Sequence, residues 1–226
     1  INIYDVKNMG TYNSKYYEPL EQMMAIRHKY MSKILRVHDG QDIYNFFKNK
    51  RVLDLGCGTG EFLNNYYDMG AVCSGIDIEN NFKIKNKINF KLIKIEANKF
   101  LKKCNVKFDV VFLFEFLEHL EDQDKHRLFK NLSNKLNKNA YIFVSTLNKN
   151  LLSKYLAIDI AENLLKLIPR KTHDFELFLS PSNLQTITKK YNLNLINTEG
   201  MQYNPIFKSF KLSKIDFVNY FGTLRN

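Results

Sequence analysis

Short apolar runs and amphipathic stretches alternate along the middle of the chain. Five runs bounded by turn residues have the length and the branched or aromatic content of buried strands. They are Arg51–Leu55, Ala71–Asp77, Phe90–Ile95, Phe108–Phe114 and Ala140–Thr146. The stretches between them have helical periodicity, so the pattern predicts an α/β fold with a doubly wound, mostly parallel sheet. Ligands of such sheets bind where the carboxyl ends of the strands meet, and we expect the functional site at that edge.

The two ends of the chain add further elements. Apolar residues recur at intervals of three and four from about Glu21 to Leu35, which predicts an N-terminal helix. Near the C-terminus, Ser182 or Asn183 is a suitable cap for another helix. Leu193–Asn197 and Phe217–Leu224 are expected as the last two strands, with a turn at Gly200–Pro205 between them. The predicted sheet therefore has seven strands and a Rossmann-like order of elements.

An amphipathic helix is predicted after the fifth strand and ends at Pro169. Its apolar stripe consists of Leu156, Ile160, Leu164, Leu167 and Ile168, with charged residues on the other side. Because lysines and arginines surround this helix, one interpretation is a peripheral membrane contact through residues 149–171. The alternative is that the stripe packs on the sheet or covers the site as an inserted helical cover.

Three alternating glycines, Gly56, Gly58 and Gly60, follow the first strand in the pattern Asp-x-Gly-x-Gly-x-Gly. Glycine allows a sharp turn and a close approach of the backbone to a ligand. A dinucleotide site requires its third glycine one residue later, where this chain has Glu61, and an acid there would repel phosphate. The motif instead resembles the first motif of S-adenosylmethionine-dependent methyltransferases.

Asp77 supports a cofactor site at this turn. It ends the second predicted strand, 21 positions after Gly56, close to the spacing of about 20 at which a carboxylate reaches ribose hydroxyls. The alternative is a tight turn with Asp77 as a helix cap. The order of strand, glycine turn, helix, strand and acid favours the cofactor interpretation.

A Glu-x-x-Glu-His run follows the fourth strand. If this run is helical, Glu115, Glu118 and His119 share one face. Carboxylates and imidazole suit Mg²⁺, Mn²⁺ or Zn²⁺, so the three residues are candidate metal ligands. Glu118 or His119 is also a candidate general base. A solvated loop is the alternative, but the position beside the cofactor turn favours a catalytic role.

The charge of the chain is strongly positive, since 34 lysines and arginines face 23 acids for a net charge of +11. This balance is compatible with nucleic acid, anionic membranes or acidic ligands. The basic residues are spread along the chain and no nucleic-acid motif accompanies them, so no nucleic acid is expected. The three cysteines lack the spacing of metal ligands and the density of a disulfide framework, which favours a reducing compartment.

Several later segments resemble the ubiquinone-biosynthesis O-methyltransferases. The similarity lies in Ser-Thr-Leu-Asn-Lys-Asn at 145–150, Thr-His-Asp at 172–174, Gly-Met-Gln-Tyr-Asn-Pro at 200–205 and Asp-Phe-Val-Asn-Tyr at 216–220. This resemblance implies methylation of a phenolic hydroxyl of polyprenyl catechol and demethylubiquinol intermediates by S-adenosylmethionine. It also implies a peripheral membrane contact, because the substrate tail is a polyprenyl chain, and other ubiquinone-biosynthesis enzymes are further expected partners.

The resemblance also implies roles for particular residues. Cofactor contacts are expected at positions matching Arg27, Gly56, Gly58, Asp77 and Phe114. A divalent metal, Mg²⁺, is expected on Glu115, Glu118 and His119, of which Glu118 and His119 are also the catalytic candidates. Phe114 stands where the family usually has methionine and is still expected to pack on the cofactor. The implied location is the cytoplasmic face of a bacterial inner membrane, or the matrix side of the inner mitochondrial membrane in a eukaryote.

The chain is expected to form one methyltransferase domain over residues 1–226. Within it, 1–50 is predicted as an N-terminal helical lid, 51–147 as the cofactor-binding core, 148–180 as the amphipathic insertion and 181–226 as the C-terminal helix and strands. Two other functions stay open. One is a methyltransferase of the same fold acting on RNA or another small molecule, and the other is a non-catalytic, membrane-associated assembly subunit.

Overall fold

The computed structural model describes residues 14–79, 90–150, 175–204 and 209–226. In these residues eight strands form one sheet in the order β3-β2-β1-β4-β5-β8-β6-β7. The strands are β1 Arg51–Leu55, β2 Val72–Asp77, β3 Lys91–Lys94, β4 Phe108–Phe114, β5 Leu136–Leu147, β6 Asn194–Asn204, β7 Ser209–Ser213 and β8 Asn219–Arg225. Strands β1 to β5 pair in parallel, whereas β8 is antiparallel to both β5 and β6, and β7 is antiparallel to β6. The predicted doubly wound, mostly parallel fold is confirmed.

Helices cover both faces of this sheet. They are α1 Ser14–Asp39, α2 Ile43–Phe47, α3 Glu61–Asp68, α4 Ala97–Lys103, α5 Asp122–Ser133 and α6 Pro181–Lys189, with short 3-10 helices at Leu117–His119 and Phe175–Leu177. Within β5, Tyr141 and Phe143 pack with residues of α1, α2 and α3, while Ile142 and Val144 pack with residues of α4, α5 and α6. This alternation follows from the two-residue period of a strand and produces two apolar layers.

The sheet has one strand more than predicted. The predicted turn at Gly200–Pro205 is wrong for its described part, because β6 continues through Asn204 and pairs with β7 from Gly200↔Ser213 to Asn204↔Ser209. Strand β7 follows β6 directly along the chain and forms the second arm of a hairpin. This hairpin was not predicted, because the end of β6 was interpreted as a turn.

Other boundaries also differ from the predictions. Helix α1 is longer at both ends than the predicted 21–35. Strand β5 begins at Leu136, four residues before the predicted Ala140, and contains an irregularity where Asn139 has φ +61° and the register with β4 shifts. Ser180, and not Ser182 or Asn183, caps α6, because its Oγ accepts from the N–H of Asn183. Pro181 then occupies the first turn, where its missing N–H has no cost.

Part of the sequence predictions falls outside the described residues. The predicted amphipathic helix and the Thr-His-Asp segment lie within residues 151–174. The division of the chain into four regions stays a prediction. Among the residues the structure describes, no helix is long and apolar enough to cross a membrane.

Candidate active site

The glycine loop between β1 and α3 is tied to the end of β2. The N–H of Gly58 donates to Oδ2 of Asp77 at 2.9 Å, and the N–H of Glu79 donates to its Oδ1 at 2.9 Å. Both carboxylate oxygens of Asp77 therefore accept a hydrogen bond from the backbone, and each keeps a further lone pair for a ligand hydroxyl. The structure thus brings two predicted cofactor residues, Gly58 and Asp77, into direct contact.

Gly58 faces open space, unlike the other glycines of the loop. Its φ is +54°, and a Cβ built on it would meet no atom within 4 Å. A Cβ on Gly60 would lie 2.8 Å from the side chain of Leu92, and one on Gly56 would lie 2.6 Å from Cδ2 of Phe116. The loop is therefore packed against protein at Gly56 and Gly60 and leaves an open cradle at Gly58. This cradle fits the close backbone contact that S-adenosylmethionine requires.

Arg27 connects α1 to the end of β4. Its guanidinium carbon lies 4.8 Å from the ring centre of Phe114 and 5.7 Å from that of Phe62. One terminal nitrogen lies 3.8 Å from Oε1 of Glu115. Its Nε is buried without a hydrogen-bond partner, which is unusual for a charged donor. The predicted cofactor residues Arg27 and Phe114 are therefore in contact, and an acceptor on a bound ligand would satisfy Nε.

Asp54 carries the first position of the glycine motif and is buried beneath the loop. Burial raises the pKa of its carboxyl to about 7, because the charged form loses its hydration. The positive charge of Arg27 lowers the pKa of Asp54, and the negative charge of Asp77 raises it further. The site thus contains a carboxyl that titrates near neutral pH.

Two carboxyls lie at the end of β4, and each is held by a hydroxyl of β5. Ser145 Oγ donates to Oε1 of Glu115 at 2.7 Å, and Thr146 Oγ1 donates to Oε2 of Glu118 at 2.8 Å. Burial and the nearby Glu115 raise the pKa of Glu118 well above its ordinary value. The carboxylate of Glu118 therefore holds a proton more strongly than that of an exposed glutamate.

The prediction that Glu115, Glu118 and His119 lie on one helical face is wrong. Glu115 has a left-handed backbone with φ +49°, and only Leu117–His119 forms a single 3-10 turn. Glu118 is consequently buried, whereas His119 is exposed. Among the described residues, no three His, Cys, Asp or Glu side chains are grouped so that they could hold a metal ion. Of the three predicted metal ligands, Glu115 and Glu118 come together, and His119 does not join them.

The acid pair lies next to the glycine loop. Phe116, which follows Glu115, packs on Gly56, and Arg27 reaches Glu115 from the side of the cofactor residues. The predicted site residues thus gather at the carboxyl edge of the sheet, except that His119 points to solvent. Their roles in binding and catalysis stay predictions.

Sequence reasoning assigned no role to Ser145 or Thr146. Both are fully buried at the end of β5 and contact the predicted catalytic carboxyls. The available signal was a pair of hydroxyl residues at the end of a buried strand, where an apolar residue is expected. Their partners could not be identified without the register that places Phe114 opposite Ser145.

Comparison with known proteins identifies the family. Residues 25–198 match the family described as a methyltransferase domain. The ubiquinone biosynthesis O-methyltransferase of Pelagibacter ubique is 36% identical over 214 residues, which cover 90% of this chain and 87% of the relative. The protein of the same name from Colwellia psychrerythraea is 32% identical over 90% of this chain and 85% of its own length.

Solved structures agree on the fold. A SAM-dependent methyltransferase from Archaeoglobus fulgidus superposes with a TM-score of 0.62 at 22% identity, covering 93% of this chain and all of the other. The magnesium protoporphyrin IX methyltransferase of Synechocystis, solved with bound SAH, gives 0.58 at 15% identity over 96% of this chain and 89% of the other. The cradle at Gly58, the Asp77 carboxylate and these similarities lead to one conclusion: the chain belongs to the ubiquinone biosynthesis O-methyltransferase family and is an S-adenosylmethionine-dependent methyltransferase.

Proposed function

We propose that this enzyme transfers a methyl group from S-adenosylmethionine to a phenolic hydroxyl of polyprenyl catechol and demethylubiquinol intermediates in ubiquinone biosynthesis. The observation that carries the proposal is the pair of acids beside the glycine loop, the buried Glu118 and the half-buried Glu115. The names of the relatives with 28–36% identity support the substrate class.

The acid pair suits a phenol because a phenol must lose its proton to become a good nucleophile. With a pKa of about 10, forming the phenolate at about pH 7 costs roughly 4 kcal/mol. A positioned carboxylate lowers this barrier by accepting the proton during the reaction. The bound cofactor supplies the electrophilic methyl group, and the protein has to align the phenolic oxygen with it and exclude water.

Glu118 is our choice for the general base. The phenolic O–H bond breaks, the proton moves to a carboxylate oxygen of Glu118, and the oxygen electron pair forms the new bond to the methyl carbon. The sulfur keeps the electron pair of the bond that breaks. Because the pKa of Glu118 is raised, its carboxylate is a stronger base than that of an ordinary glutamate. His119 is the second candidate, and its exposed position is less suited to a dry site.

A divalent cation, Mg²⁺, is a separate part of the proposal. Glu115 and Glu118 fit such an ion, since carboxylate oxygens are the ligands that Mg²⁺ prefers. The exposed imidazole of His119 would have to turn inward to complete the predicted set of ligands. The ion would supply Lewis-acid polarisation of the phenolic oxygen.

The proposed substrate carries a polyprenyl tail, so we also propose a peripheral membrane contact through residues 149–171. Most of this segment lies outside the described residues, and the support is its amphipathic sequence together with the chemistry of the tail. The corresponding location is the cytoplasmic face of a bacterial inner membrane or the matrix side of the inner mitochondrial membrane. Other enzymes of ubiquinone biosynthesis are proposed partners there.

A substrate panel tests the proposal. Labelled S-adenosylmethionine is offered with a short-tailed demethylubiquinol, with the same catechol lacking its tail, and with RNA. We expect label in the quinol, more slowly in the tail-less catechol, and none in RNA. Label in RNA, with a steep dependence on salt, would favour a methyltransferase of the same fold that acts on RNA. Cofactor binding without transfer to any acceptor would favour a non-catalytic assembly subunit.

A further inference from the structure

Ser145 and Thr146 are adjacent residues that hold the two acids of the site. Each hydroxyl donates to a different carboxyl, at 2.7 Å to Glu115 and at 2.8 Å to Glu118. Both hydroxyl residues are completely buried, and Glu118 is 2% exposed. Hydrogen bonds to an ionisable carboxyl in such a setting are strong and directional. The two short bonds therefore restrict where each carboxyl can lie.

The two bonds come from opposite faces of the sheet. Adjacent strand residues point in opposite directions. Ser145 is on the face where Tyr141 and Phe143 meet α1, α2 and α3, and Thr146 is on the face where Ile142 and Val144 meet α4, α5 and α6. The two hydroxyls thus hold the two acids from opposite sides of the sheet.

The strand that carries the hydroxyls is held on both sides at this point. Ser145 pairs with Phe114 of β4 and with Phe221 of β8, and Thr146 pairs with Tyr220 of β8. The N–H of Glu115 also donates to the carbonyl of Ser145 at 2.9 Å. Because a strand in the middle of a sheet is rigid, the hydroxyls are fixed reference points for the carboxyls.

We propose that Ser145 and Thr146 are positioning residues for the methyl transfer, which orient Glu115 and Glu118 toward the reacting phenol. This inference rests on the proposed function. The hydroxyls act only through the carboxyls, so they contribute to turnover and not to cofactor binding. A purely structural role, in which each hydroxyl merely satisfies a buried acid, would instead affect folding stability.

The test is a double-mutant cycle. Turnover, KM for the quinol and cofactor affinity are measured for Thr146→Val, Glu118→Gln and the double variant, and likewise for Ser145→Ala, Glu115→Gln and their double variant. Thr146→Ser restores the hydroxyl, and Thr188→Val is the matched control. Thr188 is also a fully buried threonine, and its hydroxyl donates to the carbonyl of Gln185 within α6.

We expect Thr146→Val to lower kcat by roughly 10- to 100-fold, because small displacements of a catalytic group have effects of this size. Cofactor affinity should be unchanged, and Thr146→Ser should recover most of the turnover. In the Glu118→Gln background, Thr146→Val should cause no further loss, since it acts through the missing carboxylate. Ser145→Ala should behave in the same way toward Glu115→Gln.

Additive losses in the two cycles would overturn the inference, and so would a loss of thermal stability in Thr146→Val with unchanged kcat. Failure of the proposed function has a different signature. In that case the wild-type enzyme would not methylate the quinol, or Glu118→Gln would be fully active, whatever the hydroxyl variants do.

Discussion

Gly58 donates its backbone N–H to Oδ2 of Asp77 over 2.9 Å. This bond joins the glycine loop after β1 to the end of β2. The carboxylate that is expected to bind the ribose is the same group that holds the loop. The side chain of Asp77 therefore affects both the expected ribose contact and the conformation of the loop.

Asp77→Asn should weaken S-adenosylmethionine binding by roughly 10- to 100-fold, the range that corresponds to losing hydrogen bonds to a charged group. Isothermal titration calorimetry measures the effect. Asp109→Asn is a matched control at the opposite edge of the sheet, where Asp109 accepts from the N–H of Arg51 and from Nδ2 of Asn137. Equal loss of affinity in both variants would show that Asp77 has only a structural role.

Gly58→Ala tests whether the open cradle is the cofactor site. Gly40 has a similar conformation, with φ +64° and open space around a Cβ, but it lies between α1 and α2. The two alanine variants should lose similar stability, about 1 kcal/mol each from the left-handed backbone. Only Gly58→Ala should also lose cofactor affinity, because its methyl group enters the cradle. Unchanged affinity in Gly58→Ala would place the cofactor elsewhere.

Arg27→Lys keeps the charge but removes the planar group that lies over Phe114. We expect about tenfold weaker cofactor binding, since lysine cannot replace a stacked, forked donor. Arg225→Lys is the matched control: its guanidinium lies 4.6 Å from the ring centre of Tyr141 and 3.4 Å from Asp39, far from the glycine loop. Cofactor binding by Arg27→Lys that is as strong as in the wild type would contradict the assignment of Arg27 as a cofactor contact.

Asp54 should make stability depend on pH. Its pKa rises on folding from 3.8 to about 7, so between these values the folded protein binds more protons than the unfolded chain. The free energy of unfolding should therefore fall as pH rises from about 4 to 7, by at most about 4 kcal/mol from this group. Asp54→Asn should flatten this part of the profile in denaturant titrations. An equally steep profile in the variant would show that another group is responsible.

The sequence was sufficient where the determinants are local. Gly56 to Gly60 and Asp77 were predicted because a strand, a glycine turn and a terminal acid form a continuous pattern. Strands β1 and β4 were predicted at their observed bounds, since each is a buried apolar run with clear turn residues at its ends. These features need no knowledge of distant residues.

The sequence was insufficient where the result depends on one backbone angle or on which strands pair and in which register. The spacing of Glu115, Glu118 and His119 suggested one helical face, but the strand before them ends in a left-handed turn at Glu115. The separation of His119 from the acids follows from that single φ. The roles of Ser145 and Thr146 depend on the β4–β5 register, and β7 exists only because it pairs with β6.

We propose that the carboxyl edge has two functions, with cofactor binding at Gly58 and Asp77 and proton transfer at Glu118, which lies beside Glu115. Measuring cofactor affinity and turnover of Glu118→Gln with a short-tailed demethylubiquinol tests it most directly. We predict unchanged affinity for S-adenosylmethionine and a loss of turnover of roughly 100-fold or more, since 100-fold is the lower end of the range for a general base. Full turnover, or a parallel loss of cofactor binding, would contradict the account.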